Sequence, residues 1–226
     1  MRQVSQPLQF LLIRKNYSAY CLAIYLAEVY DAKVVGVTLS VEQHNLSCQR
    51  VKNRGLQDKI DIRLLDYRML HEKFDRIVSV GMFEHVGIHH HSQFFRQMRE
   101  LLKDDGVAVL HSMGRPFGPS ATSSWFDKYI TPGGYVPALS EVQPVIEQAG
   151  LYTCDVEVLR LHYAQTLHEW RVRFVDHWDK AKGIYDERFC RMWEFYLCYS
   201  EGAFLERAIS DVQILFAKPS CKLETL

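Results

Sequence analysis

The sequence predicts an α/β protein built on a doubly wound parallel sheet with helices on both faces, and three observations lead there. Short β-branched runs alternate with helical stretches of about ten to fifteen residues, the pattern of such a sheet. Three of the runs end in polar residues, at the side of the sheet where ligands bind. With 226 residues, 48% hydrophobic and 24% charged, the chain is long enough to bury one large core.

In order along the chain, "AYCLAIYLAEV" from Ala19 to Val29 places Leu22, Leu26 and Val29 at helical spacing, with Asp31 and Ala32 ending it. "AKVVGVTLS" reads as a buried strand. "SVEQHNLSCQRVKNRG" reads as a helix with Ser40 as N-cap, Gln43 in the capping-box position and Gly55 as the stop. "KIDIRLLD" and "FDRIVSVGMF" are further strands, a helix runs from His91 to Lys103, and "DDGVAVLHSMG" opens on an Asp-Gly turn and continues as a strand. Residues 114 to 140 are rich in Gly, Pro and Ser and too long for a simple connection, so they read as a lid or binding loop. "SEVQPVIEQAGL" reads as a helix capped by Ser140 and "CDVEVLRLHY" as a strand. The stretch from Thr166 to Arg207 is largely helical, and "VQILFAK" is the last strand.

Lys plus Arg equals Asp plus Glu at 27 each, which leaves no global basic field for nucleic acid but allows a local membrane-facing patch. Six scattered cysteines without a CxxC spacing read as reduced thiols in a cytosolic protein. "MRQVSQPLQFLLIRK" has too short an apolar run for a secretory signal or a membrane span. A cytoplasmic location is expected.

"GMFEHVGIHHHSQFF", residues 81 to 95, sets Glu84 beside His85, His89, His90 and His91. Consecutive side chains on a helix fan about 100° apart, so the histidine triplet cannot close on one ion, and it reads as a solvated helix start rather than a metal site. Glu84 differs, because it follows the apolar run "RIVSVGMF" at the place where a sheet delivers groups to its ligand crevice. His111 occupies a comparable place in "AVLHSMG". On spacing alone the pair reads either as functional or as a surface Glu and a satisfied His. The aromatics crowding the final third read either as packing of helices on the sheet or as an apolar channel for a long ligand.

At "VSVGMFEHVG", "GVAVLHSMGRP", "KYITPGGYVPALSEV", "LRLHYAQTLHEW" and "YDERFCRMWEFYL" the chain resembles the cyclopropane-fatty-acyl-phospholipid synthases and mycolic acid cyclopropane synthases, from about Leu22 to about Lys218. The resemblance implies a Rossmann-like class I methyltransferase fold in one domain over residues 1 to 226. Its sheet would be seven-stranded with an antiparallel final hairpin, and a helical, aromatic-rich lipid-pocket insertion would occupy residues 163 to 207. It implies transfer of a methyl from S-adenosylmethionine to the cis double bond of a phospholipid acyl chain, and closure of a cyclopropane after proton removal assisted by a bicarbonate ion. It also implies work at a membrane surface, with pairing into a homodimer left open.

Carried over by motif, Glu84, His111, the backbone of Met113 and Tyr163 would grip the bicarbonate. Thr38, Leu39, Ser40 and Gln43 in "TLSVEQ", with Asp66 and Tyr67 in "LLDYR", would hold the cofactor. Cys198 carries no catalytic weight, because the family's reactive-cysteine position in that region is Ser200 here.

The chain departs from the family in two places. Methyltransferases of this kind carry an Asp-x-Gly-x-Gly turn where this chain reads "RKNYSAYC", with Arg14 for the acid, no glycine, and Tyr17, Ser18, Ala19 and Tyr20 in the space of the methionine moiety. The family's long N-terminal segment is also not matched, so an N-terminally truncated member with residues 1 to 21 atypical is expected. A lipid-binding module without catalysis and a methyltransferase of small soluble molecules are the competing readings.

Overall fold

The computed structural model describes residues 7–14 and 19–222. Residues 15–18, with Tyr17 and Ser18, and the side chains of Arg14, Ala19 and Tyr20, on which the expected departure from the glycine-rich motif falls, lie outside the described residues.

Seven strands form one sheet in the order β3-β2-β1-β4-β5-β7-β6. They are β1 (Gln9–Arg14), β2 (Lys33–Thr38), β3 (Ile60–Leu64), β4 (Phe74–Val80), β5 (Leu102–Gly114), β6 (Tyr152–Val158) and β7 (Ser210–Ala217). β1 to β5 pair in parallel, while β7 runs antiparallel to both β5 and β6. The helices are α1 (Ala19–Val29), α2 (Val41–Asn53), α3 (His91–Leu101), α4 (Ser124–Tyr129), α5 (Leu139–Gln148), α6 (His162–Asp176), α7 (Trp178–Ile184) and α8 (Glu187–Leu205). This is the α/β class I methyltransferase sheet with helices on both faces, and α6 to α8 form the helical stretch before the last strand.

The central strand β1 lies in the stretch set aside as atypical. Its apolar run is too short for a membrane but suits a buried strand: Leu11, Leu12 and Ile13 are all buried. Alternation along the strands splits the core into two layers. Leu11, Ile13, Ile77, Leu110 and Phe216 face Phe94, Phe95 and Met98 of α3 and Val142 and Ile146 of α5. Leu12, Val34, Ile60 and Ile62 face Ala23, Leu26 and Ala27 of α1 and Val51 of α2.

Three expected boundaries move. Helix α3 stops at Leu101, because Leu102 already pairs with Phe74 in the sheet, and the register jumps before Val107 pairs with Arg76. The chain folds back tightly in between, where a Cβ on Gly106 would stand 2.9 Å from the Lys103 carbonyl oxygen. Helix α5 is capped at Ala138, not Ser140: the Glu141 carboxylate accepts the Ala138 N–H at 2.7 Å and also holds the Tyr135 hydroxyl. The strand expected to reach Tyr163 ends at Val158, and Tyr163 sits in the first turn of α6.

The sheet's chain order reverses between β1 and β4, so the carboxyl ends of the parallel strands open a crevice there. Because β7 is antiparallel, its first residues, Ser210 and Asp211, reach the same end of the sheet as Gly114 and Met113 of β5.

Candidate active site

Strand β4 ends at Val80, and Gly81 turns the chain with φ 59°, a conformation that costs a side-chain-bearing residue. One 3-10 turn, Phe83–His85, follows. It is anchored by the fully buried Phe83 ring, packed among Phe94, Phe95 and His91. This anchor places Glu84 at the mouth. Its backbone carbonyl accepts the Tyr135 N–H at 2.9 Å, which ties the turn to the loop of residues 114 to 140. Its side-chain Oε1 accepts the Met113 N–H at 2.7 Å, while Oε2 is buried with no hydrogen-bond partner. Burial raises the Glu84 carboxyl above the usual range, outweighing the opposing pull of the Met113 N–H, the turn's own backbone, the Ser112 hydroxyl and the His111 ring.

His111 lies on β5 beside Val80 of β4 and Gln213 of β7. Its Nε2 is 2.7 Å from Oδ2 of Asp211, a residue only 4% exposed. His111 Nδ1 and Asp211 Oδ1 are also buried without partners. Buried polar atoms are nearly always paired. Among the described residues four such atoms are unpaired, and three of them, on Glu84, His111 and Asp211, belong to this mouth.

Met113 and Tyr163 pack against one small core of Ala164, Leu167, Leu197 and Phe204. The Tyr163 ring lies 5.2 Å from Phe204 and 6.0 Å from Trp170. All four expected ion-holding residues are thus carried to the β5 end by three elements: the turn after β4, β5 itself and α6. An apolar cavity of about 240 Å³ adjoins Met113, walled by Phe83, Leu110, Leu139, Val142 and Val212.

The expected cofactor residues gather at the ends of β2 and β3, which the Leu65 N–H to Thr38 carbonyl bond holds together at 3.0 Å. Thr38 Oγ1 donates to Gln43 Oε1 at 3.0 Å and accepts the Ser40 N–H, so these three form one knot at the start of α2. Ser40 caps α2 by accepting the Gln43 N–H, and Leu39 is exposed. Asp66 caps the turn Tyr67–Met69, and its ion pair with Arg68 at 2.6 Å holds its carboxyl below the usual range. Tyr67 packs edge-on against Phe94, and burial raises its phenol.

The histidine triplet divides. His89 and His90 are exposed, but His91 is 2% exposed, against the expectation of a solvated start. As the first residue of α3 it stacks on Phe83 at 4.2 Å and serves as a core aromatic, its ring pushed toward the neutral form by burial. No group of three or more metal-ligating side chains occurs among the described residues. The aromatic third divides as well. Phe174, Trp193 and Tyr196 pack inward, whereas Tyr185, Phe195 and Tyr199 are exposed. Trp125 and Phe126 of α4 dock the long loop on α8, with Trp125 4.8 Å from Phe195. Among the described residues no helix is long and apolar enough to cross a membrane.

Asp211 escaped the sequence reading. The available signal was an acid opening a buried β-branched run, "SDVQILF".

The profile of the mycolic acid cyclopropane synthetase family matches residues 21–214. A probable fatty acid methyltransferase of Pseudomonas putida is 44% identical over 206 residues, 88% of this chain and 52% of that protein. The cyclopropane-fatty-acyl-phospholipid synthase of Escherichia coli strain K12 is 38% identical over 197 residues, 87% of this chain and 50% of that protein. The chain therefore spans about half the length of the curated relatives it matches. The crystal structure of the mycolic acid cyclopropane synthase CmaA1 complexed with SAH and CTAB superposes with a TM-score of 0.86 at 28% identity, covering 94% of this chain and 79% of that one. A profile match over residues 21–214, with relatives 44% and 38% identical over most of its length, makes this chain a member of the mycolic acid cyclopropane synthetase family.

Proposed function

We propose that the protein transfers a methyl group from S-adenosylmethionine to the cis double bond of a phospholipid acyl chain and forms a cyclopropane, with bicarbonate held at the mouth for proton removal. The observation that carries this reading is the set of partnerless buried atoms, Glu84 Oε2 and His111 Nδ1, on side chains delivered to one strand end. Those two buried polar atoms fit a small, flat oxyanion with a hydroxyl better than a metal, which would need several converging ligands. When bound, S-adenosylmethionine supplies an electrophilic methyl and bicarbonate a base.

The chain's own residues do the rest. Thr38, Leu39, Ser40, Gln43, Asp66 and Tyr67 would hold the cofactor at the ends of β2 and β3, and Glu84, His111 and Tyr163 would hold the ion, with the Met113 N–H bracing Glu84 rather than reaching the ion. An alkene is a weak nucleophile, so rate must come from orientation in a dry apolar site. The packed rings of Tyr163, Trp170 and Phe204, on the core they share with Met113, would supply such walls. Aromatic faces also favour positive charge developing on the acyl chain. The site would work peripherally at a membrane surface on the cytoplasmic side.

The test is calorimetry with S-adenosylmethionine, followed by methyl incorporation from labelled cofactor into vesicles of a monounsaturated phosphatidylethanolamine. Binding with incorporation into the lipid supports the reading, and absence of binding at millimolar cofactor overturns it. The glycine-free stretch from Arg14 to Cys21 favours one second reading, a lipid-binding module. Vesicle binding without methyl incorporation would select it.

A further inference from the structure

Asp211 and His111 meet because β7 runs antiparallel to its neighbour β5, which brings the start of β7 to the end of β5. Asp211 is the register partner of Met113, two places along from His111, and its carboxylate reaches diagonally across the sheet to the ring. A carboxylate only accepts hydrogen bonds. At 2.7 Å from Asp211 Oδ2, Nε2 must therefore carry the hydrogen, or two lone pairs would face each other. The second ring nitrogen is then fixed by default. In a neutral ring, Nδ1 is the bare acceptor, and it is the buried atom of His111 with no protein partner.

Two other features make the contact more than a brace between strands. Asp211 is 4% exposed on a strand whose neighbours Val212 and Ile214 are core residues, so a carboxylate there is costly unless a partner uses it. Ser210 and Val212 on either side already hold β7 against Gly114 and Ser112 of β5 by register, so the sheet does not need the side-chain contact for its pairing.

Resting on the reading of the mouth as a bicarbonate site, we propose that Asp211 is a positioning residue: it holds His111 as the Nε2–H tautomer, so that Nδ1 stands as a second acceptor and shares the one hydroxyl of the bound ion with Glu84 Oε2 in a three-centre hydrogen bond. The donor side of the ion falls to the Tyr163 hydroxyl, because the Met113 N–H is taken by Glu84 Oε1. Glu84 and His111, the titratable groups of the mouth, then face the ion with Asp211 behind the ring.

The experiment uses the full chain with ¹⁵N-labelled histidine and reads the His111 ring by two-bond ¹H–¹⁵N NMR, beside a titration with ¹³C-bicarbonate. The wild type is expected to show hydrogen on Nε2 and none on Nδ1. Asp211→Leu is expected to lose the single tautomer and to weaken bicarbonate binding roughly tenfold or more. Asp211→Asn, whose amide oxygen can still accept from Nε2–H, is expected to recover part of both. Hydrogen on Nδ1 in the neutral wild-type ring overturns the proposal, as does unchanged bicarbonate affinity in a folded Asp211→Leu. The wild-type spectrum decides even if Asp211→Leu does not fold. Failure of the wild type to bind bicarbonate would instead overturn the reading of the mouth, leaving the tautomer result to judge Asp211 alone.

Discussion

Glu84 and Met113 stand 29 residues apart in the chain and are joined by one hydrogen bond, the Met113 N–H donating to Glu84 Oε1 at 2.7 Å. That bond fixes one carboxylate oxygen and leaves the other, Oε2, buried without a partner. Glu84→Gln should keep the fixed half, since the amide oxygen still accepts from Met113, and replace the acceptor Oε2 by an N–H₂ donor. Methyl transfer to vesicles is expected to fall by about 100-fold or more, with a melting temperature close to that of the wild type. An active wild type whose variant keeps most of its rate would remove Glu84 from the reaction.

The same burial makes stability depend on pH with a definite sign. Because the folded Glu84 carboxyl is raised above its unfolded value, the folded state binds more protons between the two, and stability falls as pH rises through that window. The window opens at about 4.3, the value of a free Glu, and extends upward. Glu84→Gln removes this one titration and leaves the others in place. Urea unfolding of both proteins from about pH 4 to about pH 8 should show the variant gaining on the wild type as pH rises. A difference that is flat or runs the other way contradicts a raised carboxyl.

The mouth also rests on the core beneath it. Phe95 is fully buried and meets Phe83, Phe94 and Phe216 at ring distances of 5.5, 5.1 and 5.6 Å. Phe95→Ala should cost about 3–5 kcal/mol by urea unfolding, because the rigid rings around it cannot collapse into the space. A loss below about 1 kcal/mol would mean that this layer does not carry the turn that presents Glu84.

Glu84 and His111 could be found from the sequence because a parallel strand announces its own end: an apolar run, then a polar residue at the crevice. Asp211 could not, since it opens its strand, and only the antiparallel pairing of β7 with β5 turns a strand start into a mouth residue. Strand β1 was missed for the opposite reason, as its brief apolar run shows no alternation when both faces are covered. His91 was misjudged as solvated because its place beside two exposed histidines says nothing of the Phe83 ring it meets in space. Ser140 has the chemistry of a cap, but Glu141 reaches back to Ala138 and starts the helix earlier. In each case the deciding partner is distant in sequence or hidden in strand direction.

The proposed role of the partnerless Glu84 and His111 atoms is to hold bicarbonate for methyl transfer to a lipid double bond. Its most direct test is the rate of labelled methyl incorporation into monounsaturated phospholipid vesicles after bicarbonate is stripped from the buffer and then restored. The rate should fall on removal and return on addition in the wild type, with no return in Glu84→Gln. Incorporation that proceeds unchanged without bicarbonate would contradict the claim.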